Sequence, residues 1–291
     1  MPELPEVETI VRDLNKKVLG LKITNAWTDW PKTIKTHKVE DFTREIKGRK
    51  ILRAHRRAKY IMIDLSGGKT LIIHQKISGH LLYGKWKMVD GKPTADIDGP
   101  IKTDPHNRFI RFILYLNNGY MLGLSDVRRF GKVFLGDTEK IENINEIGKL
   151  GPEPLDPRFT LGKFREVMKN KKGLVKRVLM NPFVIAGIGN IYADEILWYA
   201  AVSPLRKTDK LKEDELKEIY KAMHLVLKKA IKAKGDSQQD YRTLDGEFGG
   251  YQNLQKAYQK TGEKCQKKDG GIIKRAVVNN RSAHFCSVHQ K

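Results

Sequence analysis

Cysteine is almost absent from this chain: there are two among 291 residues, Cys265 and Cys286, both close to the C-terminus. So few exclude the disulfide framework on which small secreted domains depend, and a bridge between the two is not expected in a reducing compartment. Long apolar runs are missing as well. None approaches the roughly 18 residues that a membrane-spanning helix needs. The opening MPELPEVET carries neither the basic nor the apolar block of a secretory leader, so a cytoplasmic location is expected. Acidic charge is scarce: 34 Asp and Glu stand against 56 Lys and Arg, a formal net charge of +22. A surplus of that size implies a polyanionic partner, DNA or RNA first, and leaves a basic ribosomal or chromatin-like protein open. No internal repeat and no low-complexity tract is visible.

A chain of 291 residues can bury two separate cores. Val7, Ile10, Val11, Leu14 and Val18 recur at three- and four-residue spacing and predict an amphipathic helix. From about residue 20 to 135 the pattern changes to short strands: 61–65, LIIH (71–74), FIRFILYL (109–116), YMLGL (120–124) and KVFL (132–135). They are broken by SGG (66–68) and NNG (117–119), which suits an antiparallel sandwich or barrel. The Gly/Pro/Asp-rich stretch 90–107 reads as a loop. Past the prolines of 150–157 the pattern is helical, with Phe164, Val167 and Met168 opening one helix and residues 190–199 another. A long helix from about 210 to 233 carries Leu216, Ile219, Tyr220, Met223, Leu227 and Ile231 on one face. LDGEFGGY (244–251) reads as a mobile loop, and the last thirty residues as a basic hairpin around the cysteines. The expected class is α+β, with an N-terminal helix and antiparallel β-sandwich over 1–135 and a linker over 136–157. A helical domain over 158–235, a loop over 236–251 and a β-hairpin finger over 252–291 follow.

The terminus itself carries chemistry. Removal of Met1 before a small residue such as Pro2 exposes a secondary amine. An α-amino group titrates at about 8, so a useful fraction is neutral and nucleophilic at neutral pH. Glu3 beside it can give and take protons. The same residues also suit an ordinary helix start, with Pro2 in the first helical position and Glu3, Glu6 and Glu8 facing the positive end of the dipole.

PELPEVET (2–9), RRAKY (56–60), RRFG (128–131), LGPEPL (150–155), GIGNIYADE (187–195) and RSAHFC (281–286) occur in this order. The ordered set closely resembles the formamidopyrimidine-DNA glycosylases, from residue 2 to the end. PELPE, rather than the PEGPE start of endonuclease VIII enzymes, favours the purine-directed branch. The resemblance implies a monomeric bifunctional DNA glycosylase and abasic-site lyase of base excision repair. Such an enzyme removes 8-oxoguanine and formamidopyrimidines from double-stranded DNA through a Schiff base on the N-terminal proline, followed by β,δ-elimination. An endonuclease VIII-like enzyme acting on oxidised pyrimidines and a non-catalytic nucleic-acid-binding relative remain as alternatives.

By the same resemblance Pro2 is the nucleophile, Glu3 the general acid/base and Lys59 the proton donor that assists β-elimination. Arg281, at the finger's turn, is counted with them in the catalytic set and would meet a phosphate flanking the lesion. His106, Arg128, Phe130, Asn190 and Ile77 form the DNA-binding set. Phe130 can wedge between bases and Arg128 can bond the orphaned pyrimidine. Ile77 stands where the family has methionine, and is stiffer and shorter. GIGNIYADE corresponds to the helix–two-turn–helix module, where the amides beginning at Asn190 can bind a phosphate. Glu195 belongs either to the lesion pocket or to local support.

The finger departs from the family, whose four cysteines make a zinc site. Here CQKKDGG (265–271) and CSVH (286–289) place Asp269 at the second ligand position, with one residue inserted, and His289 at the last. Cys265, Asp269, Cys286 and His289 can together ligate zinc. A zincless finger packed on Ile272, Ile273, Val277 and Phe285 is the alternative.

Overall fold

The computed structural model describes residues 1–291, the side chains at positions 143 and 145 excepted. The chain forms two compact units, one of Met1–Gly148 with Ile231–Gln252, the other of Lys149–Ala230 with Asn253–Lys291. Among the described residues, no helix is long and apolar enough to cross a membrane.

Among the described residues of the first unit, α1 (Leu4–Lys17) precedes ten strands in antiparallel pairing. β1 (Ile23–Thr28), β8 (Ile110–Leu116), β9 (Met121–Ser125) and β5 (His80–Gly84) make one sheet in that order. β10 (Lys132–Asp137), β4 (Lys69–His74), β3 (Tyr60–Leu65) and β2 (Ile51–Arg57) make the other. The inward residues of both sheets, Ile61, Ile63, Leu71, Ile73, Phe112, Leu114, Leu122, Leu124 and Val133 among them, share one core with Val7, Ile10 and Leu14 of α1. Burial of these aliphatic and aromatic side chains helps to fix the register, because a one-residue slip would turn each of them away from this core.

The structure differs from the sequence reading at several points. Pro2 is not the first helical residue: α1 begins at Leu4 and Glu3 is its N-cap, so Pro2 lies outside the helix. A helix, α2 (Val39–Ile46), interrupts the strands and buries Phe42 and Ile46. The expected loop 90–107 instead contributes to a hairpin, β6 (Trp86–Val89) and β7 (Lys92–Ala95), turned at Asp90 and Gly91, both at positive φ. Short helical turns follow, α3 (Pro100–Thr103) and Pro105–Arg108, and after β10 come Thr138–Asn143 and α4 (Asn145–Gly148).

The returning segment 231–252 belongs to the first unit. Tyr241 and Leu244 are buried in its core, and the Tyr83 N–H donates to the Leu244 carbonyl at 2.7 Å. The Gly-rich stretch is therefore tied down at its base rather than loose along its length.

The second unit holds α5 (Leu161–Met168), α6 (Val175–Leu179), α7 (Asn190–Tyr199), α8 (Glu213–Lys232, all but Ile231 and Lys232) and the hairpin β11 (Ile273–Val278) with β12 (Arg281–Cys286). Lys176 and Asp194, both fully buried, pair at 2.7 Å. Asp194 also accepts from the His284 backbone N–H at 2.9 Å, and Lys176 donates to the Ser282 carbonyl at 2.5 Å. One buried ion pair thus fastens β12 to α6 and α7. Removing either partner would strand a charge in the core, at a cost of about 3–5 kcal/mol.

Candidate functional site

The amino-terminal turn is built from two carboxylates. Glu3, 2 % exposed, caps α1 through its side chain, while Glu6, 1 % exposed, accepts from the Glu3 N–H at 2.7 Å. The second Glu6 oxygen accepts from the Asp236 N–H at 2.8 Å. Burial lowers the α-amino group of Met1 below its usual value; the Glu3 and Glu6 carboxylates oppose this and the Lys59 ammonium adds to it. Glu3 and Lys59 therefore both act electrostatically on the chain terminus. Lys59 sits in the tight β2–β3 turn, after Ala58 at a φ of 51°. Arg56 shapes that turn by donating to the Ala58 carbonyl at 3.0 Å and to Glu8 at 3.1 Å. Asp236 joins this group as a buried carboxyl pushed up to about 6 by desolvation, with Glu3 adding to the rise. An amine easily deprotonated beside acids able to carry a proton is the equipment of covalent catalysis at an electrophilic carbon.

A second cluster gathers where the chain crosses twice between the sheets. The β4–β5 connection carries Ile77 and the β9–β10 connection carries Arg128 and Phe130. Asp126 joins them: it accepts from the Ser78 hydroxyl at 2.6 Å, the Gly131 N–H at 2.7 Å and the Arg128 N–H at 3.2 Å. Phe130 is 46 % exposed with the Arg128 guanidinium 4.7 Å over its ring, so it is not a core residue. Ile77 is half-buried.

His106 lies on the Pro105–Arg108 turn, its backbone N–H bonded to Asp104 at 2.8 Å. Asp104 also holds Arg242 at 2.5 Å, and the Arg242 guanidinium lies 3.9 Å over Phe248. These residues line a cavity of about 610 Å³.

In the second unit Asn190 is the first residue of α7, behind Gly189. Its side-chain oxygen is shielded from water and has no protein partner among the described residues. Glu195 is fully buried and accepts from the backbone N–H groups of Lys256, Ala257 and Tyr258. Desolvation raises its carboxyl to about 6 against those bonds. Glu195 therefore supports the 256–258 backbone. Arg281 begins β12 behind the Asn279–Asn280 turn, both asparagines at positive φ, and is exposed.

The finger brings its four candidate ligands together. The donor atoms of Cys265, Asp269, Cys286 and His289 lie within 4.8 Å of one another. His289 donates through Nε2 to the Trp198 carbonyl at 3.1 Å, which turns Nδ1 toward Asp269 at 2.7 Å and Cys265 at 3.5 Å. Asp269 reaches the Cys286 thiol at 3.4 Å. The Gly271 N–H, His289 and Cys286 hold the Asp269 carboxyl down at about 2. Gly271 is required here: a Cβ on it would stand 2.4 Å from the Cys286 sulfur.

Residues 1–133 match the model of the formamidopyrimidine-DNA glycosylase N-terminal domain, and residues 150–242 that of the H2TH domain of the same proteins. The formamidopyrimidine-DNA glycosylases of Herpetosiphon aurantiacus and Carboxydothermus hydrogenoformans are each 38 % identical over 291 residues, covering all of both chains. This chain belongs to the formamidopyrimidine-DNA glycosylase family. The Lactococcus lactis family enzyme, solved with DNA containing an abasic site, superposes with a TM-score of 0.85 at 31 % identity over 99 % of each chain. A MutM complex with DNA containing carbocyclic 8-oxo-G gives 0.85 at 30 % identity over all of both chains.

Within this glycosylase, Glu3 and Lys59 lie in electrostatic reach of the terminus. Arg128 and Phe130 share a turn fastened to the Ile77 loop, and the four finger residues converge. His106 is instead grouped with Asp104 and Arg242. Sequence reasoning missed Glu6 as the link to Asp236, Asp126 as the tie between the loops, and the Asp104–Arg242 pair, which bridges 138 positions of chain.

Proposed function

We propose that this chain excises oxidised purines, 8-oxoguanine and formamidopyrimidines, from double-stranded DNA as a bifunctional glycosylase and abasic-site lyase. The observation that carries the proposal is the electrostatic grouping of Glu3 and Lys59 about the chain terminus in a member of this family. Loss of Met1 leaves the Pro2 nitrogen as the terminal amine. Because Glu3 rather than Pro2 caps α1, that nitrogen is not committed to the helix.

In this reading Phe130 enters the base stack, Arg128 bonds the orphaned base, and Ile77 fills part of the vacated space. The Pro2 lone pair attacks the anomeric carbon as the glycosidic electrons leave with the base, and loss of the nitrogen's proton leaves an aminal. Glu3 then protonates the ring oxygen as the C1′–O4′ bond breaks, and the nitrogen lone pair forms the iminium. The resulting iminium acidifies the adjacent C–H, and elimination breaks the C–O bond to the 3′ phosphate with Lys59 as the proton donor. A second elimination expels the 5′ phosphate. His106, Arg281 and the backbone amides at Asn190 hold phosphates of the strand.

The finger is proposed to hold one structural zinc through Cys265, Asp269, Cys286 and His289. Zinc bonds of about 2.0–2.3 Å put tetrahedral ligand atoms about 3.3–3.8 Å apart. The spacings of 3.4 Å from Asp269 to Cys286 and 3.5 Å from His289 to Cys265 fall in that range, and all four donor atoms lie within 4.8 Å of one another. The bond from Nε2 to Trp198 supports the reading further, since it leaves the Nδ1 lone pair facing a carboxylate, an arrangement a cation resolves. Zinc here shapes the finger and takes no part in the reaction.

Excision assays on duplexes carrying either an oxidised purine or an oxidised pyrimidine test the function. Release of 8-oxoguanine and formamidopyrimidine with strand cleavage is expected. Activity confined to pyrimidine lesions, or binding without release, would overturn it.

A further inference from the structure

Phe130 stands on a turn that the loops' own tie through Asp126 does not fully explain. The residue between Arg128 and Phe130, Arg129, has a φ of 57°, the left-handed region that a long L side chain adopts only at a cost. Its guanidinium donates to Asp29 at 3.1 Å and lies 5.1 Å over the Trp30 ring. Asp29 is itself fixed, accepting from Arg111 at 2.7 Å through the same oxygen. Arg111 in turn donates to the Asp126 carbonyl at 3.3 Å, at the root of the turn. Trp30 is anchored to the end of β1, its N–H bonded to the Thr28 hydroxyl at 3.0 Å, and Thr28 to the Arg111 carbonyl at 2.6 Å. Asp29 and Trp30 thus grip the turn from one side while Asp126 and Ser78 grip it from the other.

A wedge that opens a base stack must push against the stacking energy, and a turn free to recoil would yield instead. Charge-assisted bonds and a cation over an indole ring resist that recoil. We propose that Asp29 and Trp30 are positioning residues, which lock Arg129 in its left-handed conformation and so brace Phe130 for insertion. This rests on the wedge role proposed above for Phe130. Neither Asp29 nor Trp30 need touch the lesion; they act through Arg129.

The test uses the full-length protein with Asp29→Asn, Trp30→Leu and, as reference, Phe130→Ala. Stopped-flow fluorescence of a 2-aminopurine beside an 8-oxoguanine in duplex DNA follows stack opening. Cleavage of a single-stranded oligonucleotide with a preformed abasic site requires none. Asp29→Asn and Trp30→Leu are expected to slow opening and duplex excision about tenfold. Abasic-strand cleavage should stay within about twofold of the parent protein. Wild-type opening rates in both variants while Phe130→Ala is slow would overturn the brace and spare the wedge. So would equal losses on both substrates, which would mark a merely structural role. A wild-type rate in Phe130→Ala would remove the wedge itself, and the brace with it.

Discussion

The Glu6 carboxylate lies 2.8 Å from the backbone N–H of Asp236, 230 positions away along the chain. Its other oxygen accepts from the Glu3 N–H. One buried side chain thus joins the amino-terminal turn to the returning segment, and the joint needs two acceptor oxygens. Glu6→Gln turns one of them into a donor facing a backbone N–H. Leaving a buried donor without an acceptor costs about 1–3 kcal/mol, or a melting point lower by ~2–4 °C per kcal/mol in a domain of this size. Thermal melting and excision should both suffer in this variant; unchanged melting would mean that the joint is not used.

Gly271 lies against the finger's donor cluster. Gly271→Ala would drive a methyl group into the Cys286 sulfur and the Asp269 carboxylate. Metal analysis should find about one zinc per chain in the parent protein and much less in the variant, with weaker duplex binding. Equal metal content in the two proteins would contradict the assigned ligand set.

Two buried carboxyls set a pH trend. Desolvation raises both Asp236 and Glu195 to about 6. A carboxyl raised on folding binds its proton more tightly in the folded chain, so the folded state holds more protons between the unfolded value and about 6. Stability should therefore fall as pH rises from about 4 to about 6 and then level off, as far as these two groups contribute. Asp236→Asn with Glu195→Gln should flatten that slope. Melting curves over this range decide the matter, and a slope unchanged by the substitutions would count against it.

Legibility followed distance along the chain. The apolar stripe of α1 and the face of α8 are visible because their spacing repeats locally, and the observed α8 starts at Glu213 rather than about 210. The β6–β7 hairpin was hidden by polar strands and Pro93, although Asp90–Gly91 is a strong turn signal. α2 is only eight residues long, with Phe42 and Ile46 its only buried positions, too few for a periodic pattern. Asp269 and His289 are legible because the family resemblance supplies a four-ligand pattern and both residues are of ligand type. Glu6–Asp236, Asp104–Arg242 and Asp29–Arg129 could not, because each pair is made by the fold and leaves no mark in either local sequence. Pro2 and Pro5 both suit a helix start, and the Glu3–Glu6 capping box decides for a helix that begins at Leu4 with Pro5 in its second position.

A formal charge of +22 makes binding to undamaged duplex strongly dependent on salt. A protein neutralising several phosphates loses about 10³-fold or more in affinity between 50 and 200 mM salt. Titration of a lesion-free duplex at several salt concentrations should give that steep fall. A flat response would leave the basic surplus without a role in binding.

Borohydride reduction of the enzyme on abasic-site DNA, followed by peptide mass mapping of the adduct, bears most directly on the central claim. The account predicts that the reduced sugar is attached to the peptide beginning at Pro2, with Met1 absent. Attachment to Lys59 or another lysine, or no adduct while the DNA is bound, would contradict it.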